Sequence, residues 1–224
     1  MIKRLIFPNM CVVCKRIIED GYVCTRCQLN LIDEYTCPNC EKPYNLDLEE
    51  CTHCSRISDI TAIKALFEYE GLIRNSIFRW KYQGFRKYAR AYATEFYYQL
   101  DHDLQIDALI PVPISKQRFR ERGFNQATDL ATHLSSLINV PVADVLVKHK
   151  HTKRQSECTK KERAKNNAQA ISINKEYVDI IKKDVYNFAI VDDIYTTGST
   201  VKECIKILKG HYNIEKIYVF VICK

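Results

Sequence analysis

The sequence predicts an α/β protein in two parts, a small cysteine-rich domain over residues 1–58 and a larger domain over 59–224 with a mostly parallel sheet and helices on both faces. Three observations predict it. Eight of the eleven cysteines lie in the first 54 of 224 residues, as four pairs of one spacing. From Thr61 onward, short apolar runs alternate with stretches of helical period. One of those runs, Phe188 to Val191, leads into two carboxylates and a hydroxyl-rich glycine turn.

The cysteine pairs are Cys11/Cys14, Cys24/Cys27, Cys37/Cys40 and Cys51/Cys54. A disulfide framework would require an oxidising compartment, yet no secretory signal is seen: the run Ile2 to Phe7 is broken by Lys3 and Arg4 and ends at Pro8. No apolar run approaches the ~20 residues of a membrane span. A cytoplasmic location is therefore expected, and there four Cys-x-x-Cys pairs mean metal. The segment has little core-forming pattern beyond short strands around Gly21 to Cys24, so tetrahedral thiolate coordination must stand in for the missing core. Nine residues separate Cys14 from Cys24 and ten separate Cys40 from Cys51, spacings that suit two zinc ribbons in tandem. An interleaved arrangement, with Cys11/Cys14 sharing a metal with Cys37/Cys40, fits the same spacing.

In the larger domain, Ala62 to Tyr69 alternates apolar and polar residues and reads as an antiparallel or edge strand. Leu72 to Tyr82 and Tyr88 to Leu100 read as helices, and Ile106 to Ile110 as a short strand ending in Pro111-Val112-Pro113. Asn125 to Leu137 is helical, Val142 to Val147 a strand, Asn187 to Val191 a buried strand and Lys216 to Cys223 another. The polar, basic stretch from about 148 to 167 has neither period and reads as a functional loop. Strands alternating with helices imply a mostly parallel sheet.

The turn after the 188–191 strand is Asp192-Asp193-Ile194-Tyr195-Thr196-Thr197-Gly198-Ser199-Thr200, and Val201, Ile205 and Leu208 then mark a helix. A helix N-terminus offers unpaired N–H groups and partial positive charge, so an anion such as a 5′-phosphate is held there by main chain plus the hydroxyls of Thr196, Thr197, Ser199 and Thr200. Gly198 permits close backbone approach. Asp192 and Asp193, at the carboxyl end of the strand, are placed to accept hydrogen bonds from vicinal ribose hydroxyls. At another strand end lies Ile110-Pro111-Val112-Pro113-Ile114-Ser115-Lys116, followed by Arg118, Arg120 and Arg122. Both prolines lack a donor, so the strand should stop pairing and turn into a rigid polar loop whose Lys116 and arginines bind diphosphate oxygens. Asn125 and Gln126 fit either this site or the polar start of the next helix.

Charge separates the two parts. Net charge is +7; residues 1–60 contribute −2, with seven Lys/Arg against nine Asp/Glu, which leaves +9 for the rest. Arg74, Arg79, Lys81, Arg86, Lys87 and Arg90 occur with no acidic residue between them, interleaved with Phe78, Trp80, Tyr82, Phe85 and Tyr88. Such a stripe suits a polyanion, with Arg79, Trp80, Lys81, Tyr82, Arg86 and Lys87 as candidate nucleic-acid contacts.

The acid pair with its Thr-Thr-Gly-Ser-Thr turn resembles the phosphoribosyl pyrophosphate (PRPP) loop of type I phosphoribosyltransferases. Pro111 to Ser115, Arg118, Arg122-Gly123-Phe124-Asn125-Gln126, Gln155, Glu162-Arg163 and Asn166 narrow this to the ComF/ComFC competence family, whose members also carry an N-terminal double zinc ribbon. The resemblance runs from Cys11 to Val221. It implies the type I phosphoribosyltransferase-like fold, with Asp192 and Asp193 on ribose and Mg²⁺. Thr196, Thr197, Gly198, Ser199 and Thr200 would take the 5′-phosphate, and Val112, Pro113, Ser115, Lys116, Arg118 and Arg122 the pyrophosphate. Arg154, Gln155, Arg163 and Asn166 would belong to a flexible lid. It further implies a cytoplasmic competence factor that handles incoming single-stranded DNA during natural transformation, with PRPP as ligand. No nucleoside-triphosphate P-loop occurs, so ATP-driven translocation would fall to a competence helicase of the ComFA type. No helix-turn-helix pattern is seen either. The alternative is a working phosphoribosyltransferase with an unidentified acceptor, for which neither a nucleophile-supplying part nor a base-specificity hood is recognisable.

Overall fold

A computed structural model describes residues 8–56, 58–149, 170–174 and 184–224. Its centre is a four-stranded parallel sheet in the order β1-β6-β5-β2, formed by β1 (Ala62–Phe67), β2 (Ala108–Pro111), β5 (Tyr186–Ile194) and β6 (Ile214–Cys223). A separate antiparallel pair is made by β3 (Leu146–Lys148) and β4 (Ile171–Ile173). Helices are α1 (Thr25–Gln28), α2 (Gly71–Tyr82), α3 (Lys87–Gln99), α4 (Lys116–Arg122), α5 (Gln126–Ile138) and α6 (Ser199–Lys209). The fold class is the one the alternation of strands and helices predicts.

Strand period two divides the core. Ala189 and Val191 of β5 with Tyr218, Phe220 and Ile222 of β6 face α2, α3 and α5, where Trp80, Tyr92, Phe96 and Leu130 are fully buried. Phe188 and Ile190 with Ile217, Val219 and Val221 face α6, through Val201, Cys204, Ile205 and Leu208, and the β3–β4 pair, through Leu146 and Ile171. Both central strands are apolar on both faces, which explains their near-continuous hydrophobic runs.

The cysteine-rich segment packs on the first face, where Cys11, Val12, Val13, Val23 and Cys27 share the apolar cluster of Trp80 and Tyr92. Ser76 Oγ donates to Val12 O (2.7 Å), and Arg79 donates to the carbonyls of Val12 (2.9 Å) and Val13 (2.7 Å). Beyond it, residues 32–36 lie along the outer edge of β1. Ile32 N donates to Leu66 O, and Thr36 and Ile63 exchange both backbone bonds in an antiparallel bridge. Lys64 reaches into the same junction and donates to the carbonyls of Ile32 (3.0 Å) and Asp33 (2.5 Å). Its burial lowers the ammonium pKa to about 8, although Asp33 and Glu34 oppose the shift.

Four expectations need correction. The 62–69 run is an edge strand, but its ladder with β6 is parallel and all six residues of β1 are buried, Lys64 included. No strand forms at 21–24; the one-turn α1 follows instead. Of 142–147 only Leu146 onward is strand, because Val142 makes an isolated parallel bridge to Leu109 and closes the β2 edge. The basic run after Ser115 is not a loop but helix α4. It lacks an apolar period because none of its residues is buried, yet its brackets were readable: Ser115 caps it, accepting from Arg118 N at 3.3 Å, and Gly123 ends it at φ 78°.

Candidate functional site

The N-terminal clusters are built by local turns. In three of the four pairs the residue after the second cysteine is left-handed, at Lys15 (φ 66°), Glu41 (φ 59°) and Ser55 (φ 47°). Each of these donates its N–H to the carbonyl of the first cysteine at 2.9 Å. In the fourth, α1 supplies the turn. Cys11, Cys14, Cys24 and Cys27 form one cluster and Cys37, Cys40, Cys51 and Cys54 the other, all Sγ atoms of a cluster lying within 4.8 Å of one another. This is the tandem arrangement. Sulfur separations of 3.6 Å (Cys14 to Cys24), 3.7 Å (Cys40 to Cys51) and 3.8 Å (Cys37 to Cys54) match the edge of about 3.8 Å for a tetrahedron with 2.3 Å zinc–sulfur bonds. Backbone N–H groups of Cys24 and Asn39 point at the sulfurs of Cys11 and Cys37, each at 3.4 Å. The clusters fit two structural zinc ions, and four thiolates leave no open coordination position for chemistry.

The second site lies at the carboxyl end of the parallel sheet. Asp192 and Asp193 end β5, and Asp192 Oδ1 accepts from the backbone N–H of Asp193 at 2.8 Å. Burial, then the neighbouring Asp193 carboxylate, pushes the Asp192 carboxyl up to about 7, with Lys81 and Lys148 pulling the other way. Next comes the turn. Gly198 is left-handed (φ 67°), the conformation that favours glycine, and a Cβ there would meet the end of the Tyr195 ring, 2.7 Å away at Cζ, which would have to move aside. Among the described residues the N-cap of α6 has no side-chain hydrogen bond, and Ser199 N meets the Thr197 hydroxyl at 3.4 Å. Thr196, Thr197 and Ser199 are exposed around this helix start, and Thr200 is half-buried.

Val112 to Lys116 is brought alongside. Val112 N still donates to Val191 O (2.9 Å), so pairing runs one residue past Pro111, contrary to the expected stop. Asn125 takes the helix-start alternative: it caps α5, accepting from Ala127 N, and its amide holds Val112 O at 3.0 Å. Ser115 bridges Lys148 at the end of β3, so three strand ends meet here. Lys116 and Arg118 are exposed on α4, while Arg122 is half-buried, donating to Gln126 Oε1 (2.9 Å) and the Tyr82 hydroxyl (3.2 Å). Arg154, Gln155, Arg163 and Asn166 lie outside the described residues.

The candidate nucleic-acid stripe is largely committed elsewhere. Trp80 is 0% exposed and packs on Tyr92, so as a stacking platform it is a correction. Its place was readable, since Ile73, Ile77 and Trp80 recur at spacings of four and three. Arg79 holds the first ribbon, and Arg86 pairs with Asp129 at 2.6 Å. Lys81 belongs to the other site, its Nζ 2.8 Å from Asp193 Oδ2, an ion pair that sequence reading missed. Tyr82 and Lys87 remain exposed.

Comparison with known proteins agrees with this layout. Residues 2–57 match the model of the double zinc ribbon domain. Competence protein F of Haemophilus influenzae is 36% identical over 124 residues, 53% of this chain and 51% of the relative. Competence protein ComFC of Bacillus subtilis is 27% identical over 194 residues, 81% of this chain and 75% of the relative. The chain thus spans about half of the first relative and three quarters of the second. Similar solved structures include the glutamine PRPP amidotransferase of B. subtilis (13% identity, TM-score 0.40, covering 60% of this chain and 26% of that one). Adenine phosphoribosyltransferase of Saccharomyces cerevisiae is another (18% identity, TM-score 0.35, covering 65% and 72%). In sequence, the chain resembles the ComF/ComFC competence proteins, and it sets a double zinc ribbon ahead of a mostly parallel α/β domain.

Proposed function

We propose that the carboxyl edge of the sheet binds PRPP, and that the protein is a late competence factor handling incoming single-stranded DNA in the cytoplasm. The observation that carries the PRPP reading is one continuous piece of chain. The acid pair ends β5 and the uncapped start of α6 follows Gly198, so carboxylates for ribose hydroxyls and free N–H groups for the 5′-phosphate lie a few residues apart. Lys116, Arg118 and Arg122 supply positive charge for pyrophosphate from α4, the helix that follows the neighbouring strand end. Asp192 and Asp193 fit Mg²⁺ as well: a cation, the Lys81 ammonium, already sits on Asp193. Mg²⁺ bound with PRPP would neutralise diphosphate charge.

The competence role rests on the two relatives named for it and on the +9 charge outside the ribbons. In that role a helicase of the ComFA type supplies translocation. The test is a pair of titrations on the purified, zinc-loaded chain: PRPP with Mg²⁺ by calorimetry, and a single-stranded oligonucleotide at two salt concentrations. Wild type is expected to bind both, with strand affinity falling steeply with salt. The Asp192→Asn/Asp193→Asn double variant should lose PRPP affinity by about 100-fold, the size of two lost charge-assisted hydrogen bonds. Wild type that ignores PRPP sinks the first reading, and wild type that ignores the strand at low salt sinks the second. Pyrophosphate release with an added acceptor would instead identify a working transferase.

A further inference from the structure

The end of α2 touches both halves of the proposed PRPP site through two consecutive residues. Lys81 neutralises Asp193 at 2.8 Å, with both side chains mostly buried at 14% and 12% exposure. Tyr82 holds the basic half: its hydroxyl accepts from Arg122 Nη2 at 3.2 Å, and the Arg122 guanidinium lies 5.1 Å from its ring centroid. Arg122 is not satisfied by this. Among the described residues its Nε is buried without a hydrogen-bond partner, and so is Nε2 of Gln126, the residue that accepts from Arg122 Nη1 and is itself 1% exposed. Two buried donors left unpaired on neighbouring residues are costly, and an anion that accepts from Arg122 in place of Tyr82 would offset part of that cost. On its outer side the α2 end is open. Tyr82 and Phe78 are each 55% exposed with ring centroids 5.0 Å apart, Lys87 is exposed, and the helix breaks at Gly84 (φ 68°), where a Cβ would meet nothing within 4 Å.

We propose that the end of α2 is a latch: Lys81 and Tyr82 occupy the sugar-phosphate site when it is empty, and a bound Mg²⁺–PRPP releases them to a single-stranded nucleic acid. The latch rests on the PRPP and strand-binding reading above and adds a coupling between the two ligands. A cation at Asp193 leaves the Lys81 ammonium mostly buried and unpaired, which is unfavourable until it finds another anion. Strand phosphates supply that anion, while Tyr82 and Phe78 supply a stacking surface for bases. Linkage makes the effect mutual.

The experiment is anisotropy of a dye-labelled oligothymidylate on the full, zinc-loaded chain at fixed ionic strength, with and without saturating Mg²⁺–PRPP, alongside calorimetry of PRPP on the same sample. Wild type should bind the strand about fivefold or more tightly when PRPP is present. In Lys81→Met, PRPP should still bind and strand affinity should be the same in both conditions. Tyr82→Phe, which keeps the ring but frees Arg122, should show a smaller coupling and gives a second readout if Lys81→Met misfolds. The latch is overturned if PRPP binds wild type while strand affinity stays equal or falls, the latter being competition for the same basic groups. It is equally overturned if Lys81→Met keeps the coupling or loses PRPP altogether, since Lys81 would then be a direct ligand. No PRPP binding by wild type, or no strand binding, brings down the reading beneath it, and calorimetry tells these failures apart.

Discussion

The two zinc clusters and the carboxyl edge of the sheet are both built from short motifs, but they differ in where their partners come from. Each cluster draws its four ligands from 17 or 18 consecutive residues, and its turns are closed by bonds between positions four apart. The sheet edge gathers the ends of β2, β3 and β5, and its charges are answered from α2, more than a hundred residues from the acid pair. Local chemistry makes the first region nearly autonomous, whereas the second exists only when the whole sheet is assembled.

Removing a zinc ligand tests that contrast most severely. Cys14→Ser should drop zinc content from two to one per chain and lower the melting temperature by about 10–20 °C, because Val12 and Val13, which hold Ser76 and Arg79, lose their frame. Cys40→Ser should lose one zinc with a smaller fall, since the second cluster meets the larger domain mainly through residues 32–36. Metal analysis with thermal melts reads both. Equal melting temperatures in wild type and Cys14→Ser would mean that the ribbon is a passive attachment.

Gly198→Ala probes the sheet edge with an intermediate effect. It places a side chain at φ 67° against Tyr195, so PRPP affinity should fall at least about tenfold, with roughly 1–3 kcal/mol lost from stability. Calorimetry and denaturant melts measure the two, and wild-type affinity in this variant would contradict the cradle.

The mildest effect follows from Asp192. Its folded pKa, about 7, lies above the ordinary 3.8, so the folded chain retains a proton that the unfolded chain releases. The favourable contribution of that proton is complete below the ordinary pKa and is lost as pH rises through 7. Mg²⁺ needs the ionised form, so Mg²⁺-dependent PRPP affinity should rise about tenfold from pH 6 to 8. Asp192→Asn should flatten the protein's share of both trends in binding and melting profiles, and identical profiles in the two proteins would show that Asp192 does not titrate there.

How much was legible in sequence follows the same division. The alternation of strands and helices, the buried Phe188 to Val191 run and the metal ligands rest on periods and spacings within a few residues. Tandem against interleaved metal sharing was not legible, because both satisfy the spacing and only the fold brings Cys11/Cys14 to Cys24/Cys27. Lys81 reads as surface charge in a basic stripe; that it answers Asp193 depends on how α2 crosses the sheet. The 62–69 stretch reads as alternating apolar and polar residues, yet Lys64 is buried with the rest of β1, because carbonyls at Ile32 and Asp33 take its ammonium.

Residues 32–36 along β1 have a consequence for the life of the chain outside its folded state. Without them, the outermost strand of the sheet would present unpaired main-chain groups flanked by apolar side chains, a template on which another molecule could add a strand. The segment is held at one end by the first cluster and at the other by the second. Metal starvation would therefore do more than loosen a small domain: it would uncover a self-association surface, and zinc supply would set how long newly made chains stay monodisperse.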